Sequence, residues 1–197
     1  MDTYEMKLSA VTLDSAPEGA KPLLDAAQKR MGMIPNMYAR MANLPGLLST
    51  YLHGYDAFRQ QSGLTQPEQE VVLLTISREN GCEYCVAAHS MLGKMMSHVP
   101  QDVLDAVRAD TPISDPRLQV LASFTRAMVN KRGNPTAEDV EPFLKAGFSE
   151  NHILGVILAI AVKTISNYSN HIFHTPVDSP FAPFVWKKPA ATSVQEQ

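Results

Sequence analysis

Two cysteines, Cys82 and Cys85, stand three positions apart in ENGCEYCVAAHS (79–90), and they are the only cysteines in the chain. His89 follows four positions after the second. A thiol attacks only as its thiolate, so the question is what would ionise one of these sulfurs. If Cys82 opens a helix after Gly81, Cys82 and Cys85 share a face with α-carbons ~5 Å apart, within the range a disulfide accepts. The free N–H groups and positive dipole end of a first helical turn favour a thiolate. His89 is at i+4 from Cys85 and at i+7 from Cys82, so an imidazole base serves Cys85 better. The pattern describes one activated cysteine and a second waiting a turn away to close a disulfide. A static structural pair is the plainer alternative. Zinc would need about four protein ligands, or three with an open position, and only Cys82, Cys85 and His89 cluster; His53 and His98 would have to be recruited. A thioredoxin-type domain is excluded, because no βαβ pattern surrounds the pair.

Glu70 opens the apolar stretch EVVLLTI. Taken alone, such a carboxylate is either on the exposed face of an early helical turn or buried with a partner. Behind an imidazole it would fix the ring's tautomer and raise its basicity, completing a nucleophile–base–orienter set.

The elements that must carry these residues read as helices nearly throughout. The pattern predicts helices over 18–31, 36–41 and 44–63. The next begins with Thr65 as cap, Pro67 in the first turn and Glu68 three residues on, a capping box. The cysteine helix is expected to run to about His98, and a short helix to follow Pro100. Another spans 115–133, with Asp115 as cap and Gly133 as stop. Two more, TAEDVEPFLKAGF and SENHILGVILAIAVKTISNYSNHIF, complete the set, the last capped by Ser149. Eight or nine helices with short loops make an all-α bundle over residues 1–175. The proline-rich end TPVDSPFAPFVWKKPAATSVQEQ, which begins at Thr175 and forms an arm over 176–197, has no helical period. It reads as an extended arm packed on the body or on a neighbouring subunit through Phe181, Phe184 and Trp186, with its last residues frayed.

Bulk properties exclude several classes. Apolar residues make 45% of the 197, and the net charge is −3 with no basic or acidic run. Nothing calls for nucleic acid or a membrane surface. The longest apolar run, 153–165, is interrupted by Lys163 and is too short to span a bilayer. No basic segment followed by an apolar one opens the chain, so the expectation is a cytoplasmic protein without a signal peptide.

Glu70, Cys82, Cys85 and His89 together have the spacing Glu-x11-Cys-x2-Cys-x3-His. This resembles the AhpD-like alkylhydroperoxidases of the carboxymuconolactone decarboxylase superfamily. The segments MGMIPNMYARMANLPGLLSTYLHGYDAF and GLTQPEQEVVLLTISRENGCEYCVAAH are similar to its peroxidase-related branch. The resemblance covers residues 30–175 and implies an AhpD-like helical fold assembling as homotrimers or homohexamers. It also implies an antioxidant thiol peroxidase needing no cofactor and no metal. Cys85 would attack the peroxide and become a sulfenic acid, Cys82 would resolve it as a disulfide, and Glu70 with His89 would relay the proton. An external dithiol would restore the thiols. Where some relatives have a histidine before the second cysteine, this chain has Tyr84, which would donate a hydrogen bond or shape the pocket. Two alternatives stay open: a lactone or other small-metabolite enzyme using His89 and Glu70 as acid and base, and a non-catalytic redox sensor.

The segment SNYSNHIFH adds candidates. Asn167 and His171 share one helical face, and Asn170 and His174 another. They read either as a pocket wall or subunit contact near the thiols, or as polar helix-end residues. His53 reads as a half-buried histidine. The ten methionines, including Met91, Met95 and Met96, read as fillers of core and interface gaps, or as lining for an organic hydroperoxide.

Overall fold

The computed structural model describes residues 3–189 and is helical, with no strand among them. Nine α-helices follow one another: α1 (Lys21–Met31), α2 (Asn36–Met41), α3 (Pro45–Gln61), α4 (Gln66–Glu79), α5 (Glu83–Met95), α6 (Gln101–Ala109), α7 (Pro116–Asn130), α8 (Ala137–Lys145) and α9 (Glu150–Phe173). The bundle expected from the sequence is present, with differences at the ends. The first helix starts at Lys21 rather than Glu18, because a turn closed by Ala20 N–H on the Pro17 carbonyl precedes it and Pro22 sits in its first turn. The cysteine helix stops at Met95 rather than His98. His98 turns left-handed (φ 51°) and aims the chain at Pro100, whose missing N–H could not continue a helix.

Helix α4 is the centre of the molecule. Every residue from Glu68 to Ser77 is buried, so it is covered on all sides. It packs against α5, α6, α7 and α9. The capping box holds its start: Thr65 Oγ1 and N–H both donate to Glu68, at 2.9 and 2.8 Å, and Arg117 of α7 adds a bond of 2.8 Å to the same carboxylate. Each fully buried leucine here, such as Leu73 or Leu74, contributes about 1.5–3 kcal/mol of transfer free energy.

Helix α5 divides two apolar cores. On one side Val86 joins the α4–α7–α9 core; on the other Cys82, Tyr84 and Cys85 join the core of α1, α2 and α3. Gly93 allows α5 to press onto α4 and α6. A β-carbon there would stand 2.9 Å from Leu104 Cδ2, and 3.7 Å from Glu70 Cβ. Helix α9 is long and apolar enough to cross a membrane by length and composition, yet it runs through the bundle against α2, α3, α4, α5 and α7.

The C-terminal arm packs on the body, as one of the two expected arrangements. It is not extended throughout: Ser179–Phe184 forms a 3-10 helix, whose φ values suit Pro180 and Pro183. Phe181 meets the Tyr84 ring edge-on at 6.0 Å. Trp186 is buried and its indole N–H donates to the Arg108 carbonyl at 3.1 Å. The expected fraying falls on residues 190–197, outside those described.

Candidate functional site

Gly81 sets the entry to the cysteine helix. Its φ of +68° is a left-handed turn open to glycine, and it lets the Cys82 N–H donate to the Ser77 carbonyl at 2.9 Å. Cys82 is therefore the N-cap residue, with extended backbone, and Cys85 lies in the first turn. Both are reduced and buried, at 1% and 2% exposure.

The structure brings Glu70, Cys82, Cys85 and His89 together. His89 Nδ1–H donates to Glu70 Oε2 at 2.9 Å. Glu70 is 1% exposed and also accepts from Arg59 of α3, which in turn bonds Tyr55 and reaches Gln69 Oε1 at 3.2 Å. Burial opposes a charge on Glu70, but His89 and Arg59 overcome it and hold the carboxyl below its usual range. An ionised Glu70 fixes the imidazole with its proton on Nδ1. Nε2 is then an acceptor, and it takes a hydrogen bond of 3.0 Å from Lys163 Nζ of α9.

This corrects the simple reading in which the i+4 imidazole meets Cys85 directly. The partner on the open nitrogen of His89 is Lys163, itself only 1% exposed. Burial and the Lys163 charge push the His89 pKa down, against the pull of Glu70, so the ring is neutral in the ordinary histidine range. Cys85 receives its polar contacts from α9. Asn170 Nδ2 donates to its sulfur at 3.3 Å, and its thiol reaches the Ser166 hydroxyl at 3.9 Å. Burial opposes ionisation of Cys85, yet a hydrogen bond from Cys82 and the positive charge of Lys163 bring its pKa well below that of an ordinary thiol. The same hydrogen bond, then burial, raise Cys82 far above it. The pair is strongly unequal.

Among the pocket candidates, Asn170 spans the two sulfurs, reaching Cys82 at 3.9 Å and Met37 Sδ at 3.2 Å. Tyr84 donates its hydroxyl to Asp178 of the arm, which also accepts from the Asn36 N–H at 3.1 Å. Asn167 is buried one turn before Asn170 and accepts from Asn80 at 2.8 Å, bracing the end of α4 rather than touching sulfur. His171 is on the surface beside Gly81, where burial and then Lys188 lower its pKa against the field of Cys85. His53 is exposed, as are Met95 and Met96, because α5 ends there at the surface; only Met91 of those three faces the site. Lys163, Arg59 and Ser166 were not singled out from the sequence. Lys163 carried one signal, a lone charge in the run ILGVILAIAVKTIS, read there only as an interruption.

Two cavities flank the cysteines. One of 410 Å³ has Cys85, His89 and Lys163 on its wall, with aromatic surfaces from Tyr51, Tyr55 and Phe181. The other, of 840 Å³ and more polar, has Cys82 on its floor. Tyr84 lines both.

Residues 45–127 match the model of the carboxymuconolactone decarboxylase family. No curated protein matches the chain in sequence. Among solved structures, the chain is similar to an uncharacterised peroxidase-related protein with an alkylhydroperoxidase AhpD core from Ralstonia eutropha JMP134. They share 22% identity with a TM-score of 0.78, over 89% of this chain and 93% of that one. A peroxidase-related protein from Silicibacter sp. TM1040 gives 21% and 0.72, over 91% and 96%. The debrominase Bmp8, as a cysteine-to-alanine variant with 2,3,4-tribromopyrrole, gives 14% and 0.74, over 93% and 97%.

Proposed function

We propose that this chain, which belongs through residues 45–127 to the carboxymuconolactone decarboxylase superfamily and has the AhpD-like fold, is a thiol peroxidase of organic hydroperoxides. The observation that carries the reading is the placement of the pair: Cys85 lines an aromatic cavity with His89 and Lys163 and takes the Asn170 amide on its sulfur, with Cys82 at the helix start just before it. The Cys85 thiolate attacks the distal peroxide oxygen, and the O–O bond breaks. The leaving alkoxide takes a proton from Lys163, giving the alcohol and a Cys85 sulfenic acid. Cys82 then attacks the Cys85 sulfur and its proton leaves with the hydroxide as water. A dithiol reduces the resulting disulfide, and the proton it releases returns to Lys163. Glu70 and His89 hold Lys163 and provide the acceptor when Cys85 is protonated.

The reading includes a cytoplasmic setting that supplies the dithiol, and a homotrimer or homohexamer. Leu154, Ile157, Tyr168 and Ile172 form an exposed stripe along α9 suited to contact between copies. Light scattering at micromolar concentration is expected to exceed the 21.6 kDa of one chain, and a mass equal to it would remove the assembly.

The test is peroxide consumption with thiol titration after one equivalent of cumene hydroperoxide. Two thiols lost per peroxide and a Cys82–Cys85 disulfide are expected. No consumption, or consumption undiminished in Cys85→Ser, would leave a metabolite enzyme or a sensor instead. A second reading is favoured by the aromatic walls around Cys85 and the likeness to a debrominase. In reductive dehalogenation the same two thiols would become a disulfide while an aryl C–Br becomes C–H and bromide leaves. Bromide release from a bromopyrrole without peroxide turnover would select it.

A further inference from the structure

The two cysteines open onto different spaces. Cys85 and the chemistry of the proposed peroxidase occupy the aromatic cavity, and the polar cleft over Cys82 has no part in that reaction. Tyr84, held by Asp178, stands between the two spaces. At the cleft rim the arm returns two lysines to the start of α5. Lys187 is matched by Glu83 at 2.8 Å. Lys188 gives only its backbone N–H to Glu83, at 3.2 Å, while its side chain lies across Gly81. A β-carbon on Gly81 would stand 2.8 Å from Lys188 Nζ, which places that ammonium beside the residue preceding Cys82. Among the described residues Lys188 has no carboxylate partner. A positive charge therefore overlooks the one sulfur that the substrate cavity does not reach.

We propose that this cleft is the docking site of the reductant, an anionic thiol, which attacks Cys82 in the disulfide and expels Cys85. This rests on the reading that the two cysteines form a disulfide. Cys82 is only 1% exposed, so a slender thiol arm reaches it where a flat protein face would not. The entering thiolate forms a bond to Cys82 Sγ, the Cys82–Cys85 bond breaks, and its electron pair leaves on Cys85. Cys85 is the better leaving group because Asn170 and Lys163 stabilise its thiolate, and a more acidic thiol leaves faster. The second thiol of the reductant then displaces Cys82 from the mixed disulfide. The dithiol loses two electrons and the protein regains two thiols. Oxidant and reductant thus approach through two spaces that meet at Tyr84, and the product alcohol need not clear before reduction begins.

The experiment starts from protein oxidised with diamide, which requires no peroxide. It is mixed with 2-mercaptoethanesulfonate or with cysteamine, acid-quenched at millisecond times, and the adduct is located by fragment mass spectrometry. The first adduct is expected on Cys82. The sulfonate is expected to react faster per thiolate than the ammonium thiol, and Lys188→Glu to lower that ratio about tenfold, less in high salt, since a rim charge acts on encounter. A first adduct on Cys85, or a ratio unmoved by both Lys188→Glu and Lys188→Gln, overturns the proposal. Failure of diamide to join the thiols would instead overturn the disulfide reading beneath it.

Discussion

Cys82 and Cys85 share one turn of chain and lie in opposite worlds. Cys85 faces an aromatic space with the buried Lys163 at its edge; Cys82 lines a larger and more polar cleft. Their burial is nearly equal, at 1% and 2%, so burial alone cannot make their acidities diverge. What separates them is the reach of the Asn170 amide and the place of the charge. Asn170 donates to Cys85 at 3.3 Å and reaches Cys82 only at 3.9 Å, and Lys163 lines the cavity of Cys85 alone. In the proposed reaction, neighbours on another helix are what distinguish the nucleophile from the resolver.

The strongest way to break this comparison is to exchange the sulfurs for hydroxyls one at a time. Cys85→Ser is expected to abolish peroxide consumption. Cys82→Ser is expected to keep one rapid turnover that stops at a sulfenic acid, detectable by dimedone labelling. The reverse assignment would invert both outcomes.

Next in size is the removal of the buried cation. Lys163→Met is expected to move the pH midpoint of Cys85 alkylation by iodoacetamide upward, towards the ordinary thiol range. Below the new midpoint the labelling rate should then fall, about tenfold for each pH unit. Labelling of Cys82, measured in Cys85→Ser, should need alkaline pH. An unchanged Cys85 midpoint would remove Lys163 from the site.

His89→Ala is expected to slow the reaction of Cys85 with peroxide by roughly 10²-fold, far more than it slows alkylation of Cys82. Glu70→Gln should act in the same direction with a smaller loss, about tenfold, since it keeps shape and loses the charge that fixes the ring. The pH profile sharpens the point. A relay through an ordinary histidine would make activity rise near pH 6.5 as the ring loses its proton. Here burial and Lys163 depress the His89 pKa, so the neutral ring persists to lower pH and the wild-type rate should stay level from pH 8 through 6.5, falling only below it. A rise centred at 6.5 would show that Lys163 does not bear on His89.

The smallest effect is expected from the wall between the cavities. Tyr84→Phe leaves the buried Asp178 with one donor fewer and should cost about 1–3 kcal/mol, a Tm loss of several degrees. A Tm within one degree of wild type would mean that the arm does not depend on this bond.

Much of the scaffold was legible from the sequence because its signals are local. The Thr65–Glu68 capping box, Asp115 before Pro116 and the Ser149 cap each act within one helical turn, and each is present. That the helix after Thr65 is covered on every side was not read from the sequence, because its burial depends on four other helices packing around it. The arm's 3-10 turn was missed because proline-rich segments have no period to read, and its shape is set by contacts of Phe181 and Trp186 with distant residues.

For the candidate site, the sequence by itself determined the order and spacing of Cys82, Cys85 and His89, since Gly81 and the helix repeat put them on one side of α5. Glu70 entered through the resemblance to a known family, since its own surroundings left it either exposed or buried. The spacing already favoured Cys85 as the activated thiol; only the tertiary structure decided what the imidazole faces and which groups meet the Cys85 sulfur. Lys163 lies 74 positions from His89, and Asn170 lies 85 from Cys85. No helical period links residues so far apart. Their meeting depends on α9 crossing α5 in the packed bundle, and charge and hydrogen-bond direction in a buried site follow from that crossing.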